Sequence, residues 1–312
     1  MIITLNEVLD NPFYKVCKKF QVLYNKLVSQ PANKAVGRPK KYSDLQIIQC
    51  FLYKVMNKIY CFRELEWKLS TDVLAAKILG LSEIPDHSTF CIRLKEIEKS
   101  LFYQIYRMFV LLLNPDLRVC SIDSTALRSS RFDSEAKSGK STRLGWYKGY
   151  KLHLVSSSDL VPLEFHFTTA NVYDSNCEEL ILKLKDYDIF ALLGDAAYDS
   201  VKLFKLCDEL SFHLVTDVNL RKSKSVDNIK NEYRKRNFYF IDSPIGEKIY
   251  KQRITIERLF SVLKLRYDLE NPRLYGLNKY KSHVMWTLLL YLIEKLIDRS
   301  QGVSCNKFPW NK

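Results

Sequence analysis

Over the first 115 or so residues the apolar positions recur at helical spacing. "YSDLQIIQCFLYKVM" (42–56), "FRELEWKL", "DVLAAKIL" and "HSTFCIRLKEIEKSLFYQIYRMFVLLL" are periodic segments parted by short polar breaks, so this region reads as almost entirely helical. In "GLSEIPDHSTFCIRLKEI", Gly80 ends one helix, Pro85 and Asp86 make a turn, and Ser88 or Thr89 caps the next.

From about residue 116 the period changes. "LRVCSID" is a short β-branched strand ending at Asp123. "GYKLHLVSS" and "VPLEFHFTTA" alternate apolar and polar residues, with Leu163, Phe165 and Phe167 on one face and "SSDLVP" as a hairpin turn. There follow a helix "SNCEELILKLK", an apolar strand "DIFALLGD" ending at Asp195, a helix "SVKLFKLCDEL", a strand "FHLVTDV", a basic stretch and a last amphipathic helix. Antiparallel strands followed by βαβ units predict an α/β mixed sheet flanked by helices. The expected domains are an all-helical one over 1–115, an α/β one over 116–300, and a tail over 301–312. The short N-terminal helices suit a helix-turn-helix with its last helix on DNA; a plain helical bundle fits the same pattern.

The amphipathic helix, "YKQRITIERLFSVLK" (250–264), has an odd charge balance. Ile256, Leu259, Phe260 and Leu263 form its apolar face. At about 100° per residue, Tyr250, Arg253, Glu257 and Lys264 fall within roughly 60° of one another on the other face. One carboxylate thus stands among groups suited to holding phosphate.

Composition agrees with such a partner. The 312 residues are 47% hydrophobic, and 49 Lys and Arg against 35 Asp and Glu leave a net charge of +14. A folded chain this basic attracts polyanions, nucleic acid before a membrane surface. The apolar runs "MFVLLL" and "HVMWTLLLYLI" are too short to span a bilayer, and the N-terminus lacks the order of a secretory leader. The eight cysteines form no C-x-x-C knuckle and suit buried thiols in a reducing cytosol, which argues against zinc. "GRPKK", with Arg38 at its centre, suits an A·T-rich minor groove, although a basic linker is the simpler account.

Asp123, Asp195 and Glu257 are the acids that can carry chemistry. Three converging carboxylates repel one another unless a divalent cation holds them, and with no His or Cys partner the ion is hard, Mg²⁺ or Mn²⁺. Two such ions, roughly 3.5–4 Å apart, serve phosphodiester chemistry.

"SIDST", "GDAAYDS" and the spacing Tyr250-x2-Arg253-x3-Glu257-x6-Lys264 resemble the three motifs of DDE transposases from prokaryotic insertion sequences, in the group with the Tyr-Arg-Glu-Lys signature. "KGYKLHLV" and "TTANVYDS" resemble the region between the first two motifs, and "GRPKKYSDLQII" and "LGLSEIPDHSTF" the helical domain that precedes them. The resemblance spans most of residues 37–296. It implies a ribonuclease-H-like catalytic fold in which Asp123, Asp195 and Glu257 are the catalytic metal ligands for two Mg²⁺ or Mn²⁺ ions. Tyr250, Arg253 and Lys264 would then grip the DNA backbone. It further implies double-stranded DNA as partner, both element ends and target, a homodimer in the DNA complex, and a cytoplasmic prokaryotic setting. The implied reaction binds the terminal inverted repeats, cuts the ends and joins the 3′-OH to target DNA. A ribonuclease-H-like nuclease or resolvase, and a catalytically inactive DNA-binding derivative, are the competing readings.

Within "NLRKSKSVDNIKNEYRKRNFYF", Arg221, Lys222, Lys224, Arg234, Lys235 and Arg236 are expected on DNA, because cations and aromatics interleave there; a solvated loop is the alternative. Asp174 reads as a helix N-cap first and a metal-site neighbour second. Trp146 reads as a core residue before a base-stacking one.

Overall fold

The computed structural model describes residues 5–28, 40–97, 99–218, 229–270 and 272–302. Arg38, Arg221, Lys222 and Lys224 lie outside these. The chain forms two compact units, residues 1–113 with 263–312, and residues 114–262. The sequence-based division differs at its far end, since it assigns 263–300 to the sheet domain.

The first unit is helical: α1 (Leu5–Asp10), α2 (Pro12–Leu27), α3 (Asp44–Met56), α4 (Phe62–Thr71), α5 (Val73–Ile78), α6 (His87–Glu96), α7 (Lys99–Leu113) and α13 (Leu277–Ser300). Side-chain oxygens satisfy the free amides at several helix starts. Asn11 accepts from Phe13 N at 2.8 Å to start α2, and Ser43 and Gln46 form a reciprocal capping box on α3. The cap of α6 is Asp86, neither Ser88 nor Thr89: its Oδ1 accepts from Thr89 N at 2.6 Å. A carboxylate there also suits the positive end of the helix. The long periodic segment after Pro85 is two helices, because α6 ends at Glu96 and Ile97 leaves helical geometry. Phe51, Phe62, Phe90, Phe102 and Trp286 pack ring against ring in the core, and α13 lies against α2, α3 and α7. That packing is why the last helix groups with the N-terminal ones.

The second unit is built on a sheet of β1 (Val119–Arg128), β2 (Lys137–Ser141), β3 (Gly145–Ser157), β4 (Pro162–Thr169), β5 (Ala191–Gly194) and β6 (His213–Thr216). Its helices are α8 (Glu178–Leu182), α9 (Val201–Glu209), α10 (Glu232–Asp242), α11 (Pro244–Tyr250) and the start of α12 (Ile254–Tyr267). β3 pairs antiparallel with β1 and β4, while β5 runs parallel to both β1 and β6. The order β4-β3-β1-β5-β6, three antiparallel strands followed by two parallel ones, is that of the ribonuclease-H-like fold. Leu163, Phe165 and Phe167 are buried together as the alternation predicts.

Three features depart from the sequence reading. β1 continues five residues past Asp123, because its antiparallel pairing with β3 runs on to Arg128 opposite Gly149. β2, "KSGKS", is an additional strand too polar to show in the pattern; it pairs with the first part of β3. The amphipathic helix is also not continuous: Tyr250 ends α11, a 3-10 turn covers Lys251–Arg253, and α12 begins at Ile254.

Candidate active site

The parallel ladder between β1 and β5 ends at the pair Ser121 and Leu193. Asp123 and Asp195 each stand two residues further on, so the shared register brings both acids to the same level of the sheet. Asp123 accepts from Ser124 N at 2.7 Å, and Asp195 starts a 3-10 turn by accepting from Ala197 N at 2.9 Å. Burial pushes the Asp123 carboxyl up to about 7; the Ser124 amide opposes this, Asp195 and Asp174 add to it, and Arg253 counters. Asp195 is raised as well, by burial first, against the Ala197 amide, with Asp174 adding and Arg253 and Lys151 countering. Two hard oxygen donors made reluctant to ionise chiefly by burial, with neighbouring carboxylates adding to it, suit a divalent cation.

Glu257 is placed differently. It is half exposed, and its Oε1 accepts from Arg253 Nη2 at 2.7 Å. Among the described residues no three His, Cys, Asp or Glu side chains gather closely enough to hold a metal ion. The shared register brings Asp123 and Asp195 together, whereas Glu257 is hydrogen-bonded to Arg253, the cation whose field reaches both aspartates.

Asp174 is the fourth acid of this group. It lies inside a 3-10 turn whose cap is Tyr173, so the N-cap expectation fails and the neighbour reading describes its position. Lys151 Nζ lies 3.1 Å from Asp174 Oδ1 and 2.9 Å from Val172 O, and His153 Nδ1 lies 3.5 Å from the same carboxylate. Sequence reasoning missed Lys151. Its signal was a charge standing among the apolar residues of "YKLHLV", a position that needs a buried partner.

The remaining candidates divide. The Tyr250 hydroxyl, expected on DNA, donates to Gly194 O at 3.1 Å and accepts from Asp217 N at 3.2 Å. Lys264 Nζ pairs with Glu270 at 2.8 Å, both largely covered. Arg234 departs furthest from expectation: it forms a bidentate pair with the buried carboxylate of Asp199, Nε to Oδ1 at 2.8 Å and Nη2 to Oδ2 at 2.6 Å. A guanidinium spent in this way anchors α10 to the segment after Asp195 instead of lying on the surface. Lys235 is a surface cation 3.5 Å from Glu232, and the Arg236 guanidinium lies 6.0 Å from the Tyr233 ring. Trp146 is no core residue: it is 76% exposed.

Among the described residues no helix is long and apolar enough to cross a membrane. No curated protein matches the sequence. The cryo-EM structure of a piggyBac transposase synaptic complex with hairpin DNA aligns with 95% of this chain and 76% of its own, at 11% identity and a TM-score of 0.43. The family described as Transposase domain (DUF772) matches residues 1–95, and the Transposase DDE domain matches residues 114–293. With that match covering more than half of its length and containing Asp123, Asp195 and Glu257, the chain belongs to the DDE-domain transposases.

Proposed function

We propose that the protein binds the inverted-repeat ends of a DNA element, cleaves them by metal-dependent hydrolysis and joins the freed 3′-OH to target DNA, working as a homodimer in a prokaryotic cytoplasm. The observation that supports this reading best is the common register of Asp123 and Asp195 beyond the β1–β5 ladder. These two carboxylates would hold Mg²⁺ or Mn²⁺, with Glu257 as the third ligand once it leaves Arg253. When bound, such a pair of ions activates the attacking hydroxyl and stabilises the leaving oxygen.

The chain's own groups prepare the substrate. Arg253, released from Glu257, is left facing the acids with an unpaired guanidinium suited to a phosphate oxygen. Lys151, ion-paired with Asp174, offsets part of the repulsion that this fourth acid adds where a phosphodiester must enter.

The test is Mg²⁺-dependent cleavage of DNA bearing the element ends, with Asp123→Asn and Asp195→Asn beside the wild type. Loss of cleavage with DNA binding intact is the expected result; cleavage surviving in both variants rejects the assignment. A joining assay on pre-cut 3′-OH ends separates a transposase from a nuclease, since only the transposase makes the joined product.

A further inference from the structure

Between β1 and the sheet-forming part of β3 the chain adds a turn and a hairpin, residues 129–148, that the five-strand core does not require. Two large aromatics there are almost fully exposed, Phe132 at 79% and Trp146 at 76%. Apolar surface left in water beside charge marks a binding surface.

Their exposure is built in. Tyr147, next to Trp146, is buried with Ala126 and Ala170. A Cβ on Gly139 would fall 2.3 Å from Ala170 O, so the back of the hairpin sits directly on the sheet. Beneath Phe132, the buried Asp133 accepts from Tyr150 Oη at 2.9 Å and Ser129 Oγ at 2.6 Å, which fastens the turn.

The displayed side is basic. Trp146 and Lys148 share one face of β3 by strand alternation, and Lys140 stands opposite Trp146 in register. Lys148 Nζ donates to Arg131 O at 2.9 Å, which draws the turn to the same face, and the Arg131 guanidinium lies 4.7 Å from the Phe132 ring centre. Three cations and two aromatics therefore stand together. The same alternation continues to Leu154, which is paired opposite Asp123. The surface and the first catalytic acid thus share a face of the sheet, separated by eight residues of β3. At about 3.3 Å per residue that is about 26 Å, or about eight base pairs of duplex.

We propose that this hairpin is a second DNA-binding surface. Arg131 and Lys140 hold phosphates, and Trp146 and Phe132 wedge against base steps of the duplex, about eight base pairs from the cut. The distance rests on Asp123 being part of the cleavage centre; the binding itself does not. The experiment is a fluorescence anisotropy titration in Mg²⁺-free buffer, with end-bearing DNA that either extends well past about eight base pairs from the cut or is trimmed short of it.

Trp146→Ala should weaken binding of the long DNA about tenfold and leave the trimmed DNA unaffected. Arg131→Ala with Lys140→Ala should lower the slope of log affinity against log salt by about 1.8, about 0.9 per phosphate. Long DNA should quench the emission that wild type shows over Trp146→Phe. Unchanged melting temperatures establish that the variants fold. Wild-type affinity and slope on the long DNA overturn the proposal, and so does a change of oligomeric state without a change in DNA affinity, which identifies a copy of this chain as the partner. Failure of the transposase reading shows up separately, as cleavage persisting in Asp123→Asn.

Discussion

Arg253 Nη2 donates to Glu257 Oε1 at 2.7 Å, four residues along the chain, while the same guanidinium acts on Asp123 and Asp195. One cation answers three acids, and the two halves of the signature separate by mutation. Glu257→Gln keeps the shape and removes the charge. Mg²⁺-dependent cleavage should be lost and binding to end DNA kept, slightly strengthened by reduced repulsion. Arg253→Ala should instead weaken DNA binding by about 1.5–3 kcal/mol, the range of a hydrogen bond to a charged group. A gel-shift titration beside a cleavage assay reads both; full cleavage in Glu257→Gln would sink the role of that residue.

Asp123 gives a pH signature. Its carboxyl titrates at about 7 in the fold against an ordinary value of 3.8, chiefly through burial. Between these values the native chain keeps a proton that the unfolded chain has released, so this group's contribution to stability is present below pH 3.8 and lost as pH rises through about 7. Asp123→Asn removes the penalty. The variant should melt higher than wild type above about pH 7, by an amount worth a few kcal/mol at most, and the gap should close toward about pH 4. Calorimetry across that range decides it; a gap that widens toward acid refutes the shift.

The position of Asp195 was legible because a strand followed by an Asp is a local pattern; the same pattern misplaced Asp123, since β1 runs on past it. The sheet order was legible for a similar reason, since hairpin alternation and βαβ succession are written in neighbouring residues. What stayed hidden was pairing over long separations. Nothing local tells Arg234 that Asp199, 35 residues away, will take its guanidinium, or Tyr250 that its hydroxyl will meet Gly194, 56 residues away. Trp146 was misjudged because a strand residue's side is fixed by register, and β2 was too polar to reveal the pairing that turns it outward.

The Asp199–Arg234 pair separates structural cations from DNA-binding ones. With the Asp199 carboxylate fully covered and Arg234 14% exposed, removing one partner leaves the other charge buried. Arg234→Ala should cost about 3–5 kcal/mol of stability. Its DNA affinity, measured where the variant is still folded, should keep the wild-type salt slope. Lys235→Ala with Arg236→Ala should do the reverse, lowering the slope by up to about 1.8 with little change in melting. Urea melts and salt titrations of the two variants test both halves; a flattened slope in Arg234→Ala returns that residue to the DNA surface.

Tyr250 offers the finest test of how the fold sets the site. The β5–β6 ladder ends at the pair Gly194 and Thr216, and in a parallel ladder the next bond would run from Asp217 N to Gly194 O. The Tyr250 hydroxyl occupies that place, accepting from Asp217 N and donating to Gly194 O. A hydroxyl rung holds the two strand ends apart just before Asp195. Gly194 cannot shift freely in response, since even a Cβ there would come within 3.1 Å of Tyr198. Tyr250→Phe removes only the oxygen, at a stability cost of about 1 kcal/mol. Amide exchange at Asp217 should accelerate, and Mn²⁺ titration should show affinity weakened about tenfold, the lower end for a residue that orients a metal ligand. DNA affinity without metal should stay at the wild-type level. If DNA affinity falls while Asp217 exchange and Mn²⁺ binding do not move, the hydroxyl belongs to a phosphate contact and the rung has no part in placing Asp195.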